Sequence, residues 1–376
     1  MDRKSGNKSE RLLAVQGLRA IAATMIVLLH AQELVLNYAT TNSLAFTPLR
    51  HLPWGAGVDL FFVISGFVIV FASSKLFGAP GSRWEFMRRR LIRIVPLYWT
   101  ALTLRVLVLS AGALVGVKAF PDATAIIASY LFIPYDAMGF GPKYPFPILD
   151  LGWTLNYEMF FYVLFALFVV LRREQAVFAV ASVLLGGILI ATAFPLENIA
   201  LHFWFQPITL EFALGAIIAL LFLRGAVLPS VVRLAMVVAA LSLWLVPVSW
   251  FADLSGPGFY TWPRVAIWGA GAVLIIAAAV LGPLEFKSRW SRALAGLGDS
   301  SYALYLLHPF VFILIKVALG RITVPQILCW PLVLLCAGLA ITAAALFHRY
   351  AELPVIDFLR KVTAPRIRPA PVESTR

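Results

Sequence analysis

Charge is scarce in this sequence. Only 13% of its 376 residues are Asp, Glu, Lys or Arg, against roughly a quarter in soluble domains. That excludes a chain whose whole outer shell faces water. Acidic residues are the rarer kind, 18 against 31 Lys and Arg, for a formal net charge of +13. Cysteine is nearly absent. Cys329 and Cys336 lie seven apart in one apolar run, which excludes a disulfide framework, and neither spacing nor setting suits a metal centre. No internal repeat is evident, and no second, water-soluble domain is expected. The basic start, MDRKSGNKSER, is followed by an apolar run too long for a signal peptide and without a small-residue cleavage site, so an uncleaved first span is expected.

What the chain does have is hydrocarbon. Hydrophobic residues make up 61%, the mean hydropathy is +0.89, and apolar runs of about 20 residues recur along the whole length. The expected fold is all-α, a polytopic helical membrane bundle. Ten spans are read, at 12–36, 56–77, 91–117, 153–171, 176–194, 205–223, 231–250, 263–282, 301–320 and 326–350. They divide the chain into an N-terminal segment 1–11, a membrane domain 12–354 and a basic tail 355–376.

A charge of +13 would suit nucleic acid, but its distribution argues for topology instead. Arg3, Lys4, Lys8 and Arg11, the cluster Arg83 to Arg93, Arg172 and Arg173, Arg224 and Arg233, Lys287, Arg289 and Arg292, and the tail all fall on one face. The other face keeps little beyond Arg50, Lys118, Lys143, Arg264 and Arg321. Positive charge favours the cytoplasmic side, so both termini are expected there and no nucleic acid is expected as partner. The longest external loop, 118–152, is rich in proline and aromatics. Its apolar centre, Ala125 to Ile133, is too short to cross and is read as dipping into the interface. The tail 362–376 carries no readable motif and is expected to be disordered.

The stretch that organises the rest is LLAVQGLRAIAATMIVLLHAQELVL, 12–36. Arg19 and His30 sit inside it, eleven residues apart. Eleven helical residues make three turns plus roughly 20°, so both side chains share one face, about 16 Å apart along the axis. Ionisable groups inside a span are costly and mark function by default. Asp59, in GVDLFFVISGF, and Glu158, in GWTLNYEMFFY, both fall towards the outer side. Glu158 would lie at the depth of His30 if the first and fourth spans were neighbours. A carboxylate on one imidazole nitrogen fixes the tautomer and makes the other nitrogen a better base. The alternative is that Asp59 and Glu158 only neutralise Arg19 or Arg105. For Glu211, His308 and Glu352, an inter-helix hydrogen bond competes evenly with direct chemistry. Arg90 and Arg93 are three residues apart on one face. They suit bidentate binding of a polyphosphate, while basic helix ends are also ordinary topology signals and anionic-lipid contacts.

LLAVQGLRAIAATMIVLLH, GVDLFFVISGF, RRRLIRIVPLYW, GWTLNYEMFFYVLFAL, ITLEFALGAI, SSYALYLLHPF and RYAELP occur in this order. Together they resemble the membrane-bound acyltransferase-3 family of bacterial O-acyltransferases, most closely its exopolysaccharide-production branch. The resemblance covers Leu12 to Pro354. It implies a bacterial inner-membrane enzyme that takes an acyl group, usually acetyl, from cytoplasmic acyl-CoA to a hydroxyl of an acceptor glycan. No permanently bound cofactor is implied, and polysaccharide-assembly proteins are candidate partners beside membrane lipid. Arg19, Arg90 and Arg93 match the family's basic residues and would bind the donor, while His30 and Glu158 would be catalytic. GWTLNYE departs from the more usual serine-rich motif, which leaves the partners of Glu158 open. Asp59, Trp153, Tyr157 and the external aromatics are the candidates for meeting the glycan. Ser65 is a conceivable acyl carrier, though read first as a small packing residue, and a cysteine acyl-enzyme is not expected. The rival class is a transporter or flippase of an acyl group or lipid-linked sugar, which would use similar intramembrane charges but usually shows internal repeats.

Overall fold

A computed structural model describes residues 3–116, 120–137, 139, 145–194, 196–247, 261–283 and 288–364. Lys118, Lys143, Phe140, Tyr144, Lys287 and the tail beyond 364 lie outside the described residues. Among the described residues there is no strand. Seven helices are long and apolar enough to cross a membrane, and three shorter apolar helices stand at 56–72, 207–223 and 230–244. These ten coincide with the ten expected spans. Lipid offers the backbone no hydrogen bonds, so each segment closes its own ladder.

The helices are α1 (Arg3–Thr41), α2 (Ala56–Ala72), α3 (Ser82–Leu114), α4 (Ala123–Tyr130), α5 (Trp153–Phe168), α6 (Arg173–Ala193), α7 (Ile199–Trp204), α8 (Leu210–Leu223) and α9 (Ser230–Trp244). Then α10 (Trp262–Arg264) runs through a π turn, Val265–Gly269, into α11 (Ala270–Val280). After α12 (Arg289–Asp299) and α13 (Ser301–Leu319), α14 (Cys329–Phe347) passes a second π turn, His348–Glu352, into α15 (Leu353–Val362). With 39 residues, α1 is about 58 Å long, nearly twice the hydrocarbon thickness of about 30 Å. Short helices that do not cross use side-chain caps. Asp122 accepts from the Ala125 amide at 2.9 Å, Asn198 from Leu201 at 3.0 Å and Ser288 from Ser291 at 3.0 Å, the preferred residues for that position.

The apolar faces sort themselves by neighbour. On α6, α9 and α14, large side chains such as Leu189, Leu234, Val238, Leu334 and Leu335 are exposed, as lipid-facing residues must be. The centre of the bundle belongs to α2, which packs on α1, α8, α11 and α5. Its closest crossing is with α8, where a Cβ on Gly66 would collide with the Phe212 carbonyl oxygen and one on Gly215 with the Val63 carbonyl oxygen. Without a hydrophobic drive between helices in lipid, such small-residue contacts are what lets two backbones approach and gain dispersion energy. Around them lies a ring stack in which Phe212 touches Phe62 at 4.4 Å and Phe161 at 4.8 Å.

Three elements differ from the sequence reading. The basic loop before the third span is largely the first turns of α3. The segment after Ser288 is a helix, α12, laid against α1, with Gln16 donating to Asp299 at 2.6 Å. The last span continues beyond 350 into α15 rather than ending there. The stretch Ala125 to Ile133 falls largely within α4, whose eight residues span about 12 Å, far short of a crossing.

The α2–α8 contact yields a stability test. Gly66→Val and Gly215→Val each push a branched side chain into backbone rather than into a movable side chain, so each is expected to lower the thermal unfolding midpoint in detergent well beyond Gly112→Val, a position with nothing nearby. Overpacking of this kind costs about 1–3 kcal/mol or more.

Candidate active site

A cavity of about 620 Å³ opens among α1, α2, α3, α5, α13 and α15, within the size range of small-molecule sites. Its lining runs from charge to apolar. At one end stand Glu85, Arg88, Arg89, Arg90, Arg93 and Arg360; further in come Arg19, Ser65, Glu158, Tyr162 and Tyr302; Phe61, Phe62, Thr154 and Tyr305 complete the wall. Helical spacing explains the layers. Tyr162, Glu158 and Thr154 are successive i,i+4 positions on α5, each about 6 Å apart along the axis.

The arginines are not equivalent. Glu85 accepts from Arg88 Nε and Nη2, both at 2.8 Å, and from Arg89 Nε at 2.6 Å, so two of the five positive charges share one carboxylate, and Arg360 lies 3.6 Å from Asp357. Arg88 also donates to Thr363 at 3.0 Å, which ties α3 to the end of α15. Arg93 lies 3.6 Å from Glu352, itself 2.7 Å from His348 Nδ1 across the second π turn. Arg90 has no carboxylate partner among the described residues. Its guanidinium lies over the rings of Phe86 at 5.6 Å and Tyr162 at 5.9 Å. An arginine held by ring faces keeps its donors available for an incoming anion.

Glu158 accepts hydrogen bonds from Ser65 Oγ at 2.8 Å and from the Tyr162 hydroxyl. Across the cavity, Arg19 donates to Gln16 at 3.4 Å. Further along, Tyr305 and Thr154 are joined at 3.0 Å, with both hydroxyls near the Leu151 carbonyl at 3.1 Å. Ser65, expected as a packing residue, is therefore part of the polar wall.

His30 does not line this cavity. Its Nδ1 lies 3.0 Å from Glu33 Oε2, and its ring stacks on His308 with centroids 5.3 Å apart. The expected pairing of His30 with Glu158 does not form. It required the first and fourth spans to be neighbours, whereas α1 packs on α2, α11, α12, α13 and α14, and α5 on α3, α6 and α2. Glu33 takes the place given to Glu158. A contact chain nevertheless leads from the cavity to His30, since Phe61 meets Tyr305 at 6.0 Å, Tyr305 meets His308 at 6.5 Å, and His308 meets His30.

Asp59, Trp153 and Tyr157, expected to meet the glycan, do not line the cavity either. Asp59 is completely buried and held by Arg264, Nη2 to Oδ2 at 2.7 Å and Nε to Oδ1 at 3.2 Å. Its partner is neither Arg19 nor Arg105. Arg264, read from sequence as an external loop charge, is buried at the start of the first π turn, over the Trp268 ring at 4.9 Å. Glu211, also buried, lies alongside this pair. Tyr157 stacks on Phe203 at 4.1 Å behind α2, and Trp153 meets its ring edge-on at 6.0 Å. Aromatic rings next to a motif glutamate suggest a sugar platform; their neighbours make them core. The described residues contain no cluster of metal-ligating side chains.

A family model described as an acyltransferase domain matches residues 12–349. The exopolysaccharide production protein ExoZ of Rhizobium meliloti is 32% identical over 259 residues, 68% of this chain and 75% of that protein. Protein 2 in the picA locus of Rhizobium radiobacter is 34% identical over 101 residues, 27% of this chain and 47% of that protein. No solved structure matches.

The buried pair gives a test independent of activity. Arg264→Met leaves Asp59 as an uncompensated buried charge and is expected to destabilise by about 3–5 kcal/mol. Asp59→Asn combined with Arg264→Met should recover much of that loss in thermal unfolding. A single variant as stable as the parent would show that the pair carries no such constraint.

Proposed function

The chain belongs to the acyltransferase-3 family, and from that premise we propose that it is an integral-membrane O-acyltransferase that moves an acyl group, acetyl in the first instance, from cytoplasmic acyl-CoA to a hydroxyl of an exopolysaccharide or related surface glycan. The reading puts the arginine end of the cavity and both termini on the cytoplasmic side of a bacterial inner membrane, in keeping with the charge asymmetry of the loops. The observation that carries it is one continuous wall. Arginines wait at one end, a polar middle of Arg19, Ser65, Glu158 and Tyr162 comes next, and the apolar end closes under Tyr305, one ring contact from His308 and two from His30.

In this reading Arg90 and Arg93 bind the CoA phosphates, with Arg89 and Arg360 beside them. The pantetheine arm then lies between Arg19, which donates to its amide carbonyls, and Glu158, which accepts from its amide hydrogens. Glu158 keeps a site role, as a donor-binding group rather than the partner of His30. The base is His30. A carboxylate oxygen only accepts, so in the neutral ring the contact with Glu33 puts the proton on Nδ1 and the lone pair on Nε2. His30 Nε2 takes the acceptor's hydroxyl proton as that oxygen attacks the thioester carbonyl. The carbon–sulfur bond breaks, and the thiolate takes the proton, so CoA leaves as a thiol and the glycan carries an ester.

The test uses purified full-length protein, labelled acetyl-CoA and polysaccharide stripped of its esters by mild alkali. His30→Ala is expected to lower kcat by about 10²–10⁴-fold with little change in acetyl-CoA KM. Movement of label across vesicles without thiol release would favour a carrier instead. In the same assay, Arg90→Ala and Arg93→Ala each remove charge-assisted hydrogen bonds of about 1.5–3 kcal/mol. Each should raise acetyl-CoA KM roughly 10- to 100-fold, and unchanged KM in both would put the phosphates elsewhere.

A further inference from the structure

His308 is fully buried, a residue whose sequence context fits a helix–helix bond and chemistry equally well. Its Nδ1 lies 3.0 Å from the Leu304 carbonyl oxygen. A carbonyl only accepts, so Nδ1 carries the proton. Nε2 is buried and has no hydrogen-bond partner among the described residues. A second proton there would be an unpaired cationic N–H closed in by Tyr305, Phe312 at 5.5 Å and His30, which burial disfavours strongly. The ring is therefore neutral. It lies against His30, 5.3 Å between centroids and 27° between planes, while Glu33 holds the edge of His30 at Nδ1.

We propose that His308 is a positioning residue of the acyl-transfer centre, a permanently neutral imidazole whose face fixes the plane of His30 and stabilises the positive charge His30 acquires when it takes the hydroxyl proton. The inference rests on the reading of His30 as base given above. A flat π face beside a developing cation is favourable, more so where water is excluded. Held at its edge by Glu33 and on its face by His308, the His30 ring has one nitrogen left to aim.

Full-length variants in nanodiscs, assayed with acetyl-CoA and alkali-stripped polysaccharide, test this. His308→Ala removes the face and is expected to lower kcat about 5- to 30-fold, the range of a desolvated cation–π contact, with acetyl-CoA KM within about twofold. His308→Phe restores a neutral face without a titratable nitrogen and should recover most of that rate. In a His30→Ala background, His308→Ala should have no further effect. Exchange of the His30 C2 hydrogen with deuterium, followed by mass spectrometry, should change in His308→Ala and return towards the parent rate in His308→Phe. A purely structural role predicts equal loss in Ala and Phe, a change in KM, or an added loss without His30, and any of these overturns the proposal. Full activity in His308→Ala with an inactive His30→Ala sinks the histidine pair alone. Full activity in His30→Ala sinks the reading of the base itself.

Discussion

Hydrocarbon does not solvate charge, and the organisation of this protein follows from how each intramembrane ionisable group meets that constraint. Three solutions coexist. Asp59 and Arg264 meet it by mutual bidentate pairing in a buried site shared with Glu211 and the Gly55 carbonyl. Arg93 is shared between the cavity and Glu352, which is anchored in turn to His348. Glu158, Arg19 and Arg90 have no opposite charge in contact among the described residues; hydroxyls, an amide and ring faces hold them at the cavity wall. The first solution is structural, since two charges that satisfy one another leave nothing for a substrate. The last is what a binding site for a charged ligand needs, because desolvation has been met by neutral neighbours and the charge remains available.

This sorting separates the cavity from the scaffold on either side of α2. Its face towards α8 and α11 carries Asp59 and the glycine crossing, and is closed by backbone contact. Its face towards the cavity carries Phe61, Ser65 and Val68, spaced at 61, 65 and 68 as one helical stripe. The same helix is therefore the rigid centre of the bundle and one wall of the site. Side chains on a rigid element are held more closely than on a loop, and Ser65 gains its fixed relation to Glu158 from that.

Much of this is legible in the sequence, and the illegible part has one cause. Hydropathy runs mark the ten spans, since length and apolarity are properties of each segment alone. Helical periodicity groups Arg90 with Arg93, and the structure adds Arg19 and Glu158 to the same cavity. Which helices lie side by side is not written in any single segment, so sequence reasoning seeks the partner of His30 on the fourth span. Glu33, three residues away, has the i,i+3 spacing that puts two side chains on one face; it escapes notice because it resembles the polar end of the span. Arg264 is hidden for the complementary reason. It precedes an apolar run, where an arginine normally reaches back to water, and only the position of Asp59 on α2 makes its burial tolerable. Trp153 and Tyr157 show the limit of motif proximity, since a single residue, about 100° around the helix, separates a cavity wall from a core stack.

The two π turns show how the constraint is met where a span must turn a charge inward. A π turn adds a residue to a helix without abandoning the internal hydrogen bonding that lipid demands, and rotates the segment beyond it by about 100°. Val265–Gly269 begins directly after Arg264, so the guanidinium faces α2 while the rest of α11 keeps its small residues against α9 and α2. His348–Glu352 ends on the carboxylate that meets Arg93, and beyond it α15 buries Ile356 and brings Arg360 to the cavity. A regular α-helix through either point would have to choose between facing its charge inward and keeping its apolar stripe in register. Both irregularities thus fall where one segment serves the bilayer along most of its length and a partner's charge at one position.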